Sequence, residues 1–211
     1  MRPRVTVNCA MTADGKLAGR RRRQVAISSP EDLARVKQLR RISDAIMVGV
    51  GTVLSDDPHL TVKDSIEQSP IRVVLDSSGR TPDHAKVLDG RVRTIMVTNE
   101  ECEKSWENAE TIRVGKGRVD LDALLDLLGE MGVETLLVEG GGELLWSFFK
   151  GGLVDRYSVF VGSKILWGRT APTPVDGEGF DDKDLLNMEL VQCRRLGDGI
   201  HLVYEVTDDF E

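Results

Sequence analysis

Short apolar runs rich in β-branched residues recur along the chain, each cut off by glycine or a polar cluster: Val5 to Met11, Ala45 to Val50, Ile71 to Leu75, Thr94 to Thr98 and Thr135 to Val138. Runs this short have strand length. Those without polar alternation suit strands covered on both faces, the condition of a mostly parallel sheet. Helical patterns lie between them. Ser28-Ser29-Pro30-Glu31-Asp32 offers capping hydroxyls, a first-turn proline and early acids, followed by Leu33, Val36, Leu39 and Arg40 at helical spacing, so a helix is expected from Pro30 to Ile42. Leu121 to Met131 places Leu121, Leu124, Leu125 and Leu128 on one helical face, and Glu143 to Lys150 reads as a further helix. Gly51-Thr52-Val53-Leu54 reads as the preceding strand leaving the core, and Asp155 to Val161 as another strand. Glu189 to Leu196 and Ile200 to Thr207 flank Gly197-Asp198-Gly199 and read as a hairpin. The fold class expected is α/β: a mixed, mostly parallel sheet flanked by helices, with an antiparallel carboxy-terminal edge.

At 211 residues the chain suits a single domain, 1–211, in which Asp64 to Ser69 and Ala171 to Asp184 are loops rather than linkers. Hydrophobic residues at 40% and charged residues at 30% allow a sizeable core. The net charge, 28 − 35 = −7, argues against nucleic acid or an anionic membrane as partner. No apolar run approaches the ~20 residues of a membrane span. The opening MRPRVTVNCAMTADG has no signal-peptide core, so a cytoplasmic location is expected. Cys9, Cys102 and Cys193 are far apart and form no C-x-x-C pair, so neither a disulfide framework nor a metal site is expected.

Val138-Glu139-Gly140-Gly141-Gly142-Glu143-Leu144 is the most informative segment, because an apolar strand runs into consecutive glycines and a helix follows at once. Bare backbone there admits a ligand, and the amides and dipole of a helix start suit a pyrophosphate. The run is neither a spaced G-x-G-x-x-G nor a P-loop. Glu139, at a strand end, can meet a substrate hydroxyl or a nascent cation. Gly51 to Pro58 forms a second constellation, in which Thr52 and Asp56 can bond ribose or amide groups of a cofactor. Asp76-Ser77-Ser78-Gly79-Arg80 forms a third, with hydroxyls and a guanidinium for phosphate. Three polar, glycine-bearing loops after three apolar strands point jointly to a nucleotide site. Arg20 to Arg23 form a dense basic block, readable as a solvated loop or as a phosphate contact.

The order Asp14-Gly15-Lys16, Ser28-Ser29-Pro30, then Gly51-Thr52-Val53-Leu54-Ser55-Asp56-Asp57-Pro58-His59-Leu60-Thr61-Val62, and finally Val138-Glu139-Gly140-Gly141-Gly142, closely resembles the riboflavin-pathway reductases. These are the 2,5-diamino-6-ribosylamino-4(3H)-pyrimidinone 5′-phosphate reductases, similar in fold to dihydrofolate reductase. The resemblance runs from about residue 4 to residue 206 and implies an NADPH-dependent homodimer. It assigns Thr52, Asp56, Ser77 and the run from Gly141 to Ser147, including Gly142, Glu143 and Leu144, to the NADPH side. It assigns Arg40, Leu60, Lys63 and Glu139 to the substrate side. Bacterial relatives often carry tryptophan where this chain has Ala26, and Lys63 stands where relatives can have arginine. The H-x-E and P-C-x-x-C set of the deaminase often fused to bacterial members is missing, which favours a stand-alone reductase. His59 lies near the proposed site, while His84 and His201 default to surface or packing roles.

The implied reaction reduces a ribosylamino group to ribitylamino. The furanose opens to an imine, and hydride reaches its C1′ carbon. Lys16, after the first strand, is the candidate for polarising the opened sugar or supplying a proton, helped by Glu139. Two other readings are weighed: a similar reductase acting on a pterin, and a nucleotide-binding regulatory module without catalysis. Arg40 and Lys63 favour a phosphorylated substrate over the first. Lys16, Thr52, Asp56 and Glu139 together weigh against the second.

Overall fold

The computed structural model describes residues 1–23, 25–179 and 185–207. In chain order they form β1 (Arg4–Thr12), α1 (Pro30–Ile42), β2 (Ala45–Gly49), α2 (Val50–Asp56), β3 (Ile71–Leu75), β4 (Thr94–Thr98), β5 (Glu110–Arg113), α3 (Leu121–Glu130), β6 (Thr135–Val138), α4 (Gly142–Lys150), β7 (Arg156–Gly162), β8 (Met188–Leu196) and β9 (Gly199–Val206). The chain divides into two compact units, the first made of Met1–Arg4 and Lys37–Val138, the second of Val5–Val36 and Glu139–Glu211.

In the first unit the strands run β5-β4-β3-β2-β6, every neighbouring pair parallel. The apolar runs explain this. Ala45, Ile46, Met47 and Val48 of β2 are all wholly buried, as a strand covered on both faces must be. Ile46, Val48, Val53, Val74, Met96 and Leu137 share one core with Leu60 and Trp106. The side chain of Asp120 caps α3 by accepting the Ala123 amide at 3.1 Å, and the helix buries Leu124, Leu125 and Leu128. Each such leucine contributes roughly 2 kcal/mol.

Arg72 is fully buried here. The Arg72 guanidinium on β3 donates to Thr94 Oγ1 at 2.8 Å, the Val92 carbonyl at 2.7 Å and Asp89 Oδ1 at 3.0 Å. Partial burial works against ionisation of Asp89, but hydrogen bonds from Arg91 and Arg72 hold its carboxyl down to about 2.

The second unit runs β1-β7-β9-β8, with β1 and β7 parallel and the other two pairs antiparallel. The first turn of α1 forms as its residues suggest: Ser29 Oγ accepts the Asp32 amide at 3.2 Å. Its buried face differs from expectation. Asp32 is fully buried while Leu33 is 60% exposed. The cause is a polar sheet surface. Arg35 reaches Asp32 Oδ1 (2.8 Å), Ser158 Oγ (2.8 Å) and Asn8 Oδ1 (2.9 Å), and Ser158 meets His201 Nε2 at 2.9 Å. Burial, aided by Arg35 and Arg194, pushes the His201 imidazole down to about 4. Elsewhere in the unit, Phe149 and Tyr157 meet edge to face at 5.5 Å. Cys9 lies 3.3 Å from the Tyr157 hydroxyl, and burial pushes its thiol up to about 11, an unreactive state.

The mixed, mostly parallel strands and the antiparallel carboxy-terminal edge match expectation, with two corrections. Gly51 to Leu54 is not strand leaving the core but the middle of α2, which buries Val50 and Val53 on one side and ends with Asp57 at φ 42°. β5, half-exposed and polar, is an additional strand. Part of the expected Ala171 to Asp184 loop, residues 180–184, lies outside the described residues. Among the described residues, no helix is long and apolar enough to cross a membrane.

Candidate active site

Lys16 belongs to the second unit, on a tight turn at the end of β1. Thr12 organises it: the Lys16 amide donates to Thr12 Oγ1 at 2.9 Å, and the Thr12 amide donates to the Lys16 carbonyl at 2.9 Å. Gly15 turns the chain at φ 75°, a conformation glycine adopts without strain. Among the described residues, no hydrogen bond or ion pair engages the Lys16 ammonium. Its turn is tied to the segment after β7 through the Ala13 amide, which donates to the Lys164 carbonyl at 2.8 Å. Leu17 is tied in turn to the Pro172 carbonyl at 2.9 Å.

Glu139 follows β6 directly, half-buried, and the glycines follow it. Their roles separate sharply. A Cβ on Gly140 would strike Leu144, and one on Gly142 would come 2.5 Å from the Thr173 carbonyl and 2.7 Å from the Asp176 carboxyl, whereas one on Gly141 would meet nothing within 4 Å. None of the three has a positive φ. Gly142 is therefore bare because the chain's own 173–176 segment lies on it, held by the Asp176 amide bonding the Gly142 carbonyl at 3.3 Å. Asp176 is itself fixed by the Thr173 amide (2.9 Å) and hydroxyl (2.7 Å). Gly141 is the glycine that leaves room for a ligand.

At the start of α4 the Leu144 and Leu145 amides are taken by the Gly141 carbonyl, at 3.0 and 3.2 Å. The amides of Gly142 and Glu143 open the helix and have no acceptor within it. Open space at Gly141 beside these amides leaves room of the kind an anionic group takes at a helix start. Glu143, exposed, and Leu144, half-buried, occupy the same first turn. A groove of about 490 Å³ borders that turn, and its lining includes Arg22, Arg169, Glu143, Asp176 and Glu178. This is where one of the four consecutive arginines sits.

In the first unit, all strands being parallel, the segments after β2 and β3 leave by the same edge. Thr52 and Asp56 stand on α2, not on a loop, Thr52 half-buried and Asp56 exposed. Asp57 accepts the Lys86 amide at 2.8 Å and so fixes the end of that helix. Ser77 sits in a turn built by buried Asp76, whose carboxylate accepts the Arg80 amide at 2.9 Å and the Thr81 amide at 2.6 Å.

Of the substrate-side residues, Arg40 lies in the last turn of α1 and Lys63 is exposed beyond buried Thr61 and Val62. Leu60 is only 3% exposed, at φ 53°, with its side chain in the core. Any contact it makes with a ligand must come from its backbone. Thr12, Asp14, Thr173 and Asp176 carry no assignment from sequence. Of these, Asp14 alone had a local signal, its place beside Gly15 and Lys16.

In the first unit hydroxyls and carboxylates follow the parallel strands β2 and β3, and in the second a helix starts beside an open glycine; each is a pattern that nucleotide-binding α/β enzymes share. The chain belongs to the RibD C-terminal domain family, which matches residues 3–202. A 2,5-diamino-6-ribosylamino-4(3H)-pyrimidinone 5′-phosphate reductase of Methanothermobacter thermautotrophicus is 45% identical over 98% of this chain and 99% of its own length. The reductase of the same name from Archaeoglobus fulgidus is 42% identical over 94% of this chain and 96% of its own. Among solved structures, a deaminase/reductase of Thermotoga maritima superposes with a TM-score of 0.83 at 27% identity, covering 98% of this chain and 57% of that one. The resemblance read from the sequence motifs is borne out by relatives and fold alike.

Proposed function

We propose that this protein is an NADPH-dependent oxidoreductase that reduces the ribosyl group of 2,5-diamino-6-ribosylamino-4(3H)-pyrimidinone 5′-phosphate to ribityl in riboflavin biosynthesis. The observation that carries the reading is its nearly end-to-end match to the two archaeal reductases of that name. The open backbone at Gly141 and the unengaged Lys16 ammonium support it from the structure. NADPH, when bound, supplies the hydride.

The chain's own residues bind, orient and protonate. The first-turn amides of α4 hold the cofactor's pyrophosphate. Thr52, Asp56 and Ser77 are its assigned polar contacts in the first unit. Arg40 and Lys63 are the assigned contacts for the substrate, with cationic side chains suited to its phosphate ester. Lys16 donates a proton or hydrogen bond to the sugar oxygen freed as the furanose opens, and Glu139 stabilises positive character at the resulting imine nitrogen. Residues 1–211 act as one reductase domain, working in the cytoplasm as a homodimer without nucleic acid. The dimer is supported by β8, exposed at eight of its nine residues, with apolar Leu190 50% exposed.

Mixing the protein with NADPH and the diaminopyrimidinone phosphate should produce loss of reduced-nicotinamide absorbance. Faster loss with a dihydropterin would replace this reading with the pterin one, and no loss with any candidate would leave a binding module. The deaminated pyrimidinedione phosphate in parallel distinguishes the two pyrimidine substrates.

A further inference from the structure

The Asp14 carboxylate, two residues before Lys16, accepts three hydrogen bonds. Its Oδ1 accepts the Thr12 hydroxyl at 2.5 Å and the Leu166 amide at 3.1 Å, and its Oδ2 accepts the Trp167 amide at 2.9 Å. The carboxylate therefore grips two consecutive amides of the segment after β7 and the same Thr12 that bonds both backbone groups of Lys16. Its grip also coincides with strain. Trp167 stands at φ 56°, a region bulky side chains rarely adopt, and is 76% exposed, so side-chain burial does not compensate. Such conformations persist where neighbours over-determine them, and they cluster at working sites. The Thr12 hydroxyl foremost, opposed by slight desolvation and helped by the Leu166 and Trp167 amides, keeps the Asp14 carboxyl below its usual range and so ionised.

We infer that Asp14 is the positioning residue for Lys16, fixing the lysine's turn against the Leu166–Trp167 segment so that the ammonium is presented in one place to the opening sugar. This rests on the proposed role of Lys16. Asp14 touches neither substrate nor cofactor and acts through Thr12. Asn in its place offers one acceptor instead of two and turns an NH2 group towards an amide N–H that needs an acceptor.

The test measures single-turnover hydride transfer and NADPH affinity for Asp14→Asn, Lys16→Met and the double variant, with melting curves to confirm folding. Asp14→Asn should slow hydride transfer by about tenfold or more with NADPH affinity changed less than about twofold, and should add nothing in the Lys16→Met background. Thr12→Val, nearly isosteric, should reproduce the loss and serves if Asp14→Asn does not fold. Trp167→Gly, which accepts a positive φ freely, should restore about threefold or more to Asp14→Asn. Transfer within about twofold of the parent in Asp14→Asn and Thr12→Val, or an equal loss with and without Lys16, would overturn the positioning role. Near-normal transfer in Lys16→Met would instead overturn the reading of Lys16 itself.

Discussion

Adjacent glycines at the start of α4 should respond oppositely to one added methyl group. Gly142→Ala places a carbon 2.5 Å from a backbone oxygen and 2.7 Å from Asp176, too close for any real contact, so the 173–176 segment must move. Overpacking of this kind costs about 1–3 kcal/mol. Replacing glycine at a compatible backbone angle returns about 0.4–1 kcal/mol through the unfolded chain. The clash wins, leaving a net loss of about 1–2 kcal/mol, or roughly 2–8 °C in melting temperature for a chain this size. Gly141, at φ −72° and ψ 166° with nothing nearby, has only the favourable part, so Gly141→Ala should melt at or slightly above the parent. Binding reverses the order of interest. Gly141→Val fills the space proposed for the pyrophosphate and should weaken NADPH at least tenfold, equivalent to about 1.4 kcal/mol, in a protein that still melts normally. Calorimetric melting and NADPH titration of all three variants check this. A Gly142→Ala protein as stable as the parent would refute the packing argument, and unchanged NADPH affinity in Gly141→Val would remove the helix start from the site.

Other substitutions separate binding, chemistry and stability. Lys16→Met should bind NADPH normally and lose roughly 10²-fold or more in turnover if its ammonium serves in proton transfer. Glu139→Gln should lower the maximal rate if the charge stabilises the imine, but raise mainly the Michaelis constant if the side chain only clamps a hydroxyl. His201 titrates near 6.5 when unfolded and about 4 when folded, so between those values the unfolded chain binds the extra proton and stability falls as pH falls. Urea unfolding at pH 7 and pH 4.5 should show His201→Gln losing less than the parent, the difference being up to about 3 kcal/mol, and equal losses would contradict the imidazole's neutral burial. Arg72→Met strips partners from Thr94, Asp89 and the Val92 carbonyl and should destabilise by about 3 kcal/mol, read as a lower urea midpoint.

The bounds of α1 were legible from its capping residues and proline, but its buried face was not. Leucine at helical spacing suggests a greasy side, whereas Asp32 and Arg35 face inward because Asn8, Ser158 (123 residues from Arg35) and His201 make the sheet beneath them polar. α2 was misread because its seven residues bury only Val50 and Val53, too few positions for a helical period to stand out from a short apolar run. β5 lacked the apolar alternation that marks a half-buried strand. For the candidate site, the glycine run and the Lys16 turn were visible in the sequence. Which glycine has room was not, since Leu144 closes Gly140 and the returning 173–176 segment closes Gly142. Asp14 had its place beside Gly15 and Lys16 to mark it, but its contacts were hidden, because the amides it holds lie 152 and 153 residues along the chain.

The second unit is assembled from the two ends of the chain, and this orders events during synthesis. β1 leaves the ribosome first, yet Thr6 of β1 pairs with Arg156 of β7, 150 residues later. At roughly 5–20 residues per second, that separation holds the newborn strand waiting for about 8–30 s. The long continuous stretch of the first unit, Lys37–Val138, emerges completely within that interval. A nascent chain stalled where Val138 has just cleared the exit tunnel and β7 is still inside it should therefore protect the first unit's parallel strands from protease while residues 5–36 remain open to cleavage and to chaperones. The alternation of apolar and polar residues in Val5-Thr6-Val7-Asn8 keeps that waiting segment less adhesive than the solid apolar run of β2 would be.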